Sequence, residues 1–300
     1  MTKRRALLGL LTLVPIGAFL VSTQSRATPV PPLAPPAQAL QVYHLGHSLV
    51  GPVMPHMLAQ LAPEGHQWNS QLGSGTSLKE HWEPDQPIRD FEISNNPPAY
   101  REAREAVGSG DYDAVVLTEM VELRDAIKYF GSAKYMRRWA DLARNAPKPP
   151  RIYLYETWHN LDDADGWLER IDGDLDPLWL KKLLGPDSRR NADHPVYLIP
   201  AGQVMAAVVR AAETGGIPGL TARSELFTDT IHLNDLGAYV VALTHYAVLY
   251  HKSPEGLAHQ LTLPDGTAAQ AFDQATAEAV QKIVWATVTT FDRTGLTQAE

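Results

Sequence analysis

The chain has 300 residues, 44% of them hydrophobic and 20% charged, with a formal net charge of −8. A domain of this size buries roughly three quarters of the surface its unfolded chain exposes. There is no cysteine, which excludes disulfides, thiolate nucleophiles, iron–sulfur clusters and cysteine-ligated zinc; no basic run follows the extreme N-terminus, so nucleic acid is not an expected partner.

Residues 1–27 read as an export signal. Lys3-Arg4-Arg5 is the positive end, Ala6 to Val21 is apolar with Pro15 and Gly17 inside it, and Ser25-Arg26-Ala27 is a small-x-small cleavage site. Sixteen residues with an internal proline are short for a membrane anchor. The expectation is a periplasmic or secreted protein with no stable membrane span. Losing Lys3, Arg4, Arg5 and Arg26 takes the formal charge from −8 to −12. Residues 28–39 carry Pro29, Pro31, Pro32, Pro35 and Pro36. They predict an extended tether, not a packed element, with a single domain following over 40–300.

The first strand is expected over Leu40 to Leu45, a mostly apolar run suited to a central parallel strand. A helix follows over Val53 to Leu61, then a strand over His66 to Leu72 and a glycine turn at Gly73-Ser74-Gly75. Tyr100 to Val107 reads as a helix stopped by Gly108-Ser109-Gly110, and Ala114 to Leu117 as a buried strand. Ser132 to Arg144 is a helix, with Tyr129, Tyr135 and Trp139 at core spacing. Arg151 to Tyr155 is a strand, 161–190 a helical insertion, and Val196 to Ile199 the last strand. Helices are expected over Gly202 to Ala212, over Asp235 to His251 with Asn234 as its cap, and over Thr267 to Thr290. Strands alternating with helices predict an α/β fold: a flavodoxin-like three-layer sandwich around a parallel sheet of about five strands. In such sheets the site lies beyond the carboxyl ends of the strands. Ser48, Gly75, Thr118-Glu119 and Glu156 to Trp158 all fall there.

The chemistry concentrates at two stretches, Gly46-His47-Ser48 and Asp229-Thr230-Ile231-His232-Leu233-Asn234. A serine hydroxyl is a weak nucleophile until a base takes its proton. Histidine suits that task near neutral pH, and a carboxylate on its other nitrogen fixes the tautomer. Asp229 and His232, three residues apart, can supply both from one curled loop to Ser48. Gly46-His47-Ser48 resembles the nucleophile block of the SGNH (GDSL-type) hydrolases, with histidine where aspartate or asparagine is usual. Asp229-x-x-His232 resembles that family's last block, and Gly75 sits where its second-block glycine would lie.

That resemblance implies an SGNH-hydrolase fold and a Ser48/His232/Asp229 triad. It also implies an oxyanion hole of the Ser48 and Gly75 N–H groups, each worth on the order of 3 kcal/mol of barrier lowering. The family's third-block asparagine is missing. The third strand ends Thr118-Glu119, where Thr118 could donate to the oxyanion and an ionised Glu119 could not. Either Glu119 is protonated, or it orients another group, or the oxyanion hole is smaller.

His47, Glu119, Glu156 and Trp158 are the expected substrate contacts, the indole as a face for sugar rings; loop packing is the other reading of the last two. His81-Trp82 either line the pocket or pack on the surface. Asp162, Asp163 and Asp165 read as a solvated loop. His44, His47 and His232 could make a zinc trio, but an i, i+3 pair on a strand points to opposite faces, so no metal and no cofactor is expected. The function read from these residues is an exported serine esterase or deacetylase acting on a small acyl ester, preferably of a carbohydrate. An O-acetyltransferase with the same triad, or a non-catalytic carbohydrate or peptidoglycan binder favoured by Glu119, are the alternatives.

Overall fold

The structure is a computed structural model, and it describes residues 30–96 and 98–297. The expected export signal lies outside the described residues, as do the first two residues of the tether.

The elements run β1 (Gln41–His47), α1 (Val53–Leu61), β2 (Gln67–Gly73), α2 (Leu78–Trp82), α3 (Phe91–Ser94), α4 (Ala103–Ser109) and β3 (Ala114–Thr118). Then come α5 (Leu123–Asp125), α6 (Ser132–Arg144), β4 (Arg151–Glu156), α7 (Trp167–Asp174), α8 (Gly185–Arg190) and β5 (Tyr197–Pro200). The chain closes with α9 (Ala201–Glu213), α10 (Asp235–Tyr250) and α11 (Gln274–Val288). The five strands pair in the order β2-β1-β3-β4-β5, every pair parallel. This is the flavodoxin-like three-layer sandwich, and its strand order reverses between β1 and β3.

Alternation along each strand sends successive side chains to opposite faces. Val42, Val116, Tyr155 and Ile199 pack with α1, α9, α10 and α11 in one core. Tyr43, Leu45, Leu117 and Leu154 pack with α4, α6 and the wide-turn helical stretch Leu175–Leu184 in the other. Both faces are covered, so the central strands are apolar nearly throughout. Among the described residues no helix is long and apolar enough to cross a membrane.

Three local readings change beyond shifts of a few residues at element ends. Residues 30–39 are extended but packed: Val30 and Leu33 lean on the core, Leu33 N–H donates to Gly295 O at 2.8 Å, and the Tyr197 hydroxyl donates to Pro31 O at 3.0 Å. A proline-rich strand has no internal hydrogen bonds, so its carbonyls are open to such donors. The last helix starts at Gln274 because Leu261 to Ala269 first forms a small antiparallel turn, with Leu263 N–H on Thr267 O. Asp273 then caps the helix through Thr276 N–H. Tyr129 is 61% exposed while Tyr135 and Trp139 are buried; it lies in a wide-turn stretch separated from α6 by left-handed Gly131, so helical spacing does not carry across.

Candidate active site

β1 delivers Ser48 at the point where the strand order reverses. The chain turns sharply there, with Val50 and Gly51 N–H groups donating to His47 O. A Cβ on Gly46 would sit 2.6 Å from Thr118 Cβ, so only glycine lets β1 run this close to the end of β3. Two buried imidazoles hold the turn. His81 Nε2 donates to Gly46 O at 2.8 Å while its Nδ1 faces Gln71 Nε2 at 3.1 Å. His47 Nε2 donates to Glu119 O at 2.9 Å. Burial pushes both rings down to about 4, so both are neutral at pH 7.

The second contribution is the loop 228–232, between Leu226 and α10. It is closed at its base by an antiparallel bridge between Phe227 and Leu233 and by Thr228 N–H donating to His232 O at 2.8 Å. It is tied to the segment after β4 at three points: Leu161 N–H donates to Thr230 O at 2.7 Å, Trp158 Nε1 donates to Ile231 O at 2.9 Å, and the Thr230 hydroxyl donates to Asn160 Oδ1 at 3.3 Å. Asn234 caps α10 through Gly237 N–H, as its position predicts.

Within this loop Asp229 Oδ1 accepts from the N–H groups of Ile231 and His232, at 2.8 and 2.7 Å. Its Oδ2 lies 2.7 Å from His232 Nδ1. The His232 N–H, then its ring, then the Ile231 N–H hold the carboxyl down to about 2. His232 Nε2 lies 2.9 Å from Ser48 Oγ, across 184 residues of sequence. A carboxylate on Nδ1 fixes the imidazole with its lone pair on Nε2, the arrangement that can take a hydroxyl proton.

These side chains open on a cavity of about 270 Å³. Ser74 and Gly75 wall one side, Val121, Asn160 and Ile231 others, and Arg89 stands at its rim. Gly75 has φ +58°, a left-handed turn that favours glycine. The N–H groups of Ser48 and Gly75 make no hydrogen bond among the described residues, so both are free for an incoming oxygen. A second cavity of about 290 Å³ also reaches Ser48 and is walled by Trp68, Ile93 and Tyr100. A third, of about 150 Å³, touches Ser48 and His232 and is lined by Val50, Val53, Met54 and Leu233.

Four expected site residues do not line these cavities. Thr118 is fully buried beneath Gly46, which removes it as an oxyanion donor. Glu119 is also fully buried; its Oε1 accepts from Leu78 N–H at 3.2 Å and Met120 N–H at 2.8 Å. Burial pushes its carboxyl up to about 6, against those donors. Of the readings left open for Glu119, the geometry matches the one in which it orients another group, here the start of α2. Glu156 likewise accepts from Gln203 N–H and Nε2 at the start of α9, and burial pushes it up to about 8. Gly202 makes room for it: a Cβ there would lie 2.5 Å from Glu156 Oε1. Trp158 is 1% exposed, so its indole is a strut for the 228–232 loop and not a stacking face. His81 and Trp82 also stay out of the cleft; Trp82 packs edge-on against Trp139.

The aspartate run after β4 is more than a solvated loop. Arg170 donates to Glu122, Asp163 and Asp174 at 2.7–2.9 Å, and Arg124 to Asp165 at 2.7 Å. Glu122 and His159 adjoin Val121 and Asn160, so this network fixes one cleft wall. Ligand atoms of Glu122, His159 and Asp163 lie within 4.8 Å of one another, but the Arg170 guanidinium already bonds both carboxylates. Arg89, Val121 and Asn160 were not anticipated. Asn160 lies two residues past the stretch Glu156 to Trp158; Arg89 sits in a polar, proline-containing loop with no motif.

No family model matches the sequence, and no curated protein does either. Solved structures do resemble the fold. A DUF4886 family protein from Bacteroides uniformis superposes with a TM-score of 0.56 at 15% identity, over 87% of this chain and 98% of that one. An acetyl xylan esterase gives 0.42 at 15% identity, over 70% and 99%. A gut microbial diltiazem-metabolizing enzyme gives 0.44 at 13% identity, over 80% and 53%. The first likeness speaks to the fold alone, and the other two superpose too loosely to bear on function.

Proposed function

We propose that this chain is an exported serine esterase or deacetylase, a divergent SGNH-type hydrolase, that releases a small acyl group from a carbohydrate ester. The observation that carries this reading is the continuous chain Ser48 Oγ–His232 Nε2 and His232 Nδ1–Asp229 Oδ2, at 2.9 and 2.7 Å, opening on a cavity beside two unengaged N–H groups. Ser48 Oγ attacks the ester carbonyl as its proton passes to His232 Nε2. The Ser48 and Gly75 N–H groups receive the oxyanion, the usual main source of barrier lowering in acyl transfer. The C–O bond to the alcohol breaks, and His232 returns the proton to the departing oxygen. Water, deprotonated by His232, then attacks the acyl-serine and frees the acid and Ser48.

With Thr118 buried and no third-block asparagine, Asn160 is the carboxamide that borders the cavity. Its Oδ1 accepts from the Thr230 hydroxyl at 3.3 Å, which leaves its amide hydrogens for the cleft. Glu119, the residue that favoured a non-catalytic binder, is occupied at α2 and leaves that alternative without its motive. An acyltransferase would use the same side chains and differ in the acceptor. Residues 1–27 as a removed signal and 40–300 as a single exported domain complete the proposal; N-terminal sequencing of the secreted protein tests that part.

A fluorophosphonate probe tests the chemistry. Labelling of Ser48 that His232→Ala abolishes, with acetate release from acetylated sugars lost in Ser48→Ala, is the expected result. Sugar binding without Ser48-dependent ester turnover would overturn it. Transfer of the acyl group to a sugar, with no free acetate, would reassign it to the transferases.

A further inference from the structure

We infer that the ester this cleft takes carries a carboxylate on its alcohol portion, as in an acylated sugar acid, and that Arg89 is the residue that reads it. The inference rests on the esterase reading above.

Arg89 lines the same cavity as Ser48, Gly75 and His232. No carboxylate or carbonyl engages its guanidinium among the described residues, whereas Arg101, Arg124, Arg144, Arg170, Arg210 and Arg223 all sit in ion pairs. Arg189 and Arg190 also make no ion pair among the described residues, but of these three only Arg89 borders the cleft. Its backbone is fastened in place: Ser74 N–H donates to Arg89 O at 2.9 Å. Gly73 permits this docking, since a Cβ there would lie 2.3 Å from Ile88 Cγ2 and 3.2 Å from Arg89 O. The guanidinium therefore hangs from an anchored point next to the Ser74-Gly75 turn.

A guanidinium presents a planar fork that matches a carboxylate through two parallel N–H···O bonds. No lysine or other arginine borders this cavity, so Arg89 brings the one Lys or Arg charge among its lining residues, which suits a monoanion better than a phosphate ester. The small cavity lined by Val50, Val53, Met54 and Leu233 suits a short apolar acyl group. That leaves the charged portion for the Arg89 side, with the Trp68–Tyr100 wall open to a neighbouring ring.

The test compares acetate release from O-acetylated galacturonic acid and from its carboxyl methyl ester, which differ in charge and barely in shape. Wild type is expected to favour the acid in kcat/KM by about five- to tenfold, the range for a charge-assisted pair discounted for exposure. The preference should collapse towards one in Arg89→Gln and shrink as salt is raised. No preference in wild type, with Ser48-dependent release from both, overturns the inference and leaves the esterase reading standing. An Arg89-dependent preference for mono-4-nitrophenyl succinate in place of the sugar acid overturns the assignment to the alcohol side. Absence of any Ser48-dependent release overturns the esterase reading instead. Titration of galacturonate into Ser48→Ala, with and without Arg89→Gln, then decides: binding lost with Arg89 supports the inference, and equal or absent binding overturns it.

Discussion

The indole of Trp158 donates a hydrogen bond to the carbonyl of Ile231 at 2.9 Å, joining the segment after β4 to the residue just before His232. Together with Leu161 N–H on Thr230 O, it sets where the imidazole stands relative to Ser48. A small displacement of a reacting group lowers rate far more than it lowers stability. Trp158→Phe keeps most of the packing and removes the bond, worth about 1 kcal/mol. We expect kcat on 4-nitrophenyl acetate to fall about fivefold, with KM nearly unchanged and the fold intact by circular dichroism. A variant as fast as wild type would show that the strut is dispensable.

Asp229 receives two backbone N–H bonds besides the imidazole. Asp229→Asn can keep the backbone bonds through its carbonyl oxygen but offers Nδ1 an amide donor, which turns His232 to the wrong tautomer. Loss of kcat by about 10³- to 10⁴-fold is expected, with a melting temperature close to wild type. Because the folded carboxyl lies at about 2, its stabilising effect is present above its ordinary range and is lost only as pH falls through about 2. Its ionisation therefore adds no step to a rate profile between pH 4 and 8, which kinetics on Asp229→Asn and wild type can compare.

Buried neutral histidines make the fold acid-sensitive. His47, His66, His81 and His245 are pushed down to about 4 by burial, and His44, which has no hydrogen-bond partner among the described residues, lies well below its ordinary value for the same reason. With the folded pKa depressed, the unfolded chain takes up protons first as pH drops below about 6.5. The contribution of these histidines should be flat above that value, and stability should fall from pH 6.5 to 4 as they are lost. Urea midpoints measured across this window test it, and a midpoint that rises on acidification would contradict it.

Glu156 acts in the opposite direction. Burial raises its folded pKa to about 8, so its contribution is fully present below the ordinary carboxyl pKa and is lost as pH rises through 8. Glu156→Gln keeps the shape and an acceptor for Gln203 N–H without the ionisable group. The variant should lose less stability than wild type between pH 5 and 8.5, whereas Glu156→Ala should be about 2–4 kcal/mol less stable than wild type at pH 5, having left buried donors at α9 unpaired, a deficit that narrows as pH rises towards 8.5. Parallel pH profiles for wild type and Glu156→Gln would dismiss this role.

Much of the layering was legible without coordinates because its signals are local. The apolar runs at 114–117 and 151–155 fit covered parallel strands, the periodicity of 132–144 fits an amphipathic helix, and the long apolar run after the Asn234 cap fits a buried one. Gly46-His47-Ser48 and Asp229-x-x-His232 likewise stand out as short patterns that name candidate groups. The short helices α2, α3 and α5 carried too few residues for a periodicity to show.

What sequence alone determined, then, is the succession of the strands and longer helices, their parallel pairing, and which side chains are the candidates for the site. Only tertiary structure decided where those near the strand ends point. Glu119, Glu156 and Trp158 follow strands as cleft residues should, yet each turns inward to a donor or acceptor 41, 47 or 73 positions away. Arg89 and Asn160 reach the cleft from loops with no pattern at all. Periodicity reports which face of an element is apolar; the partner of a buried polar atom is a long-range contact, and its desolvation energy, unsatisfied or met, is settled only when the layers close.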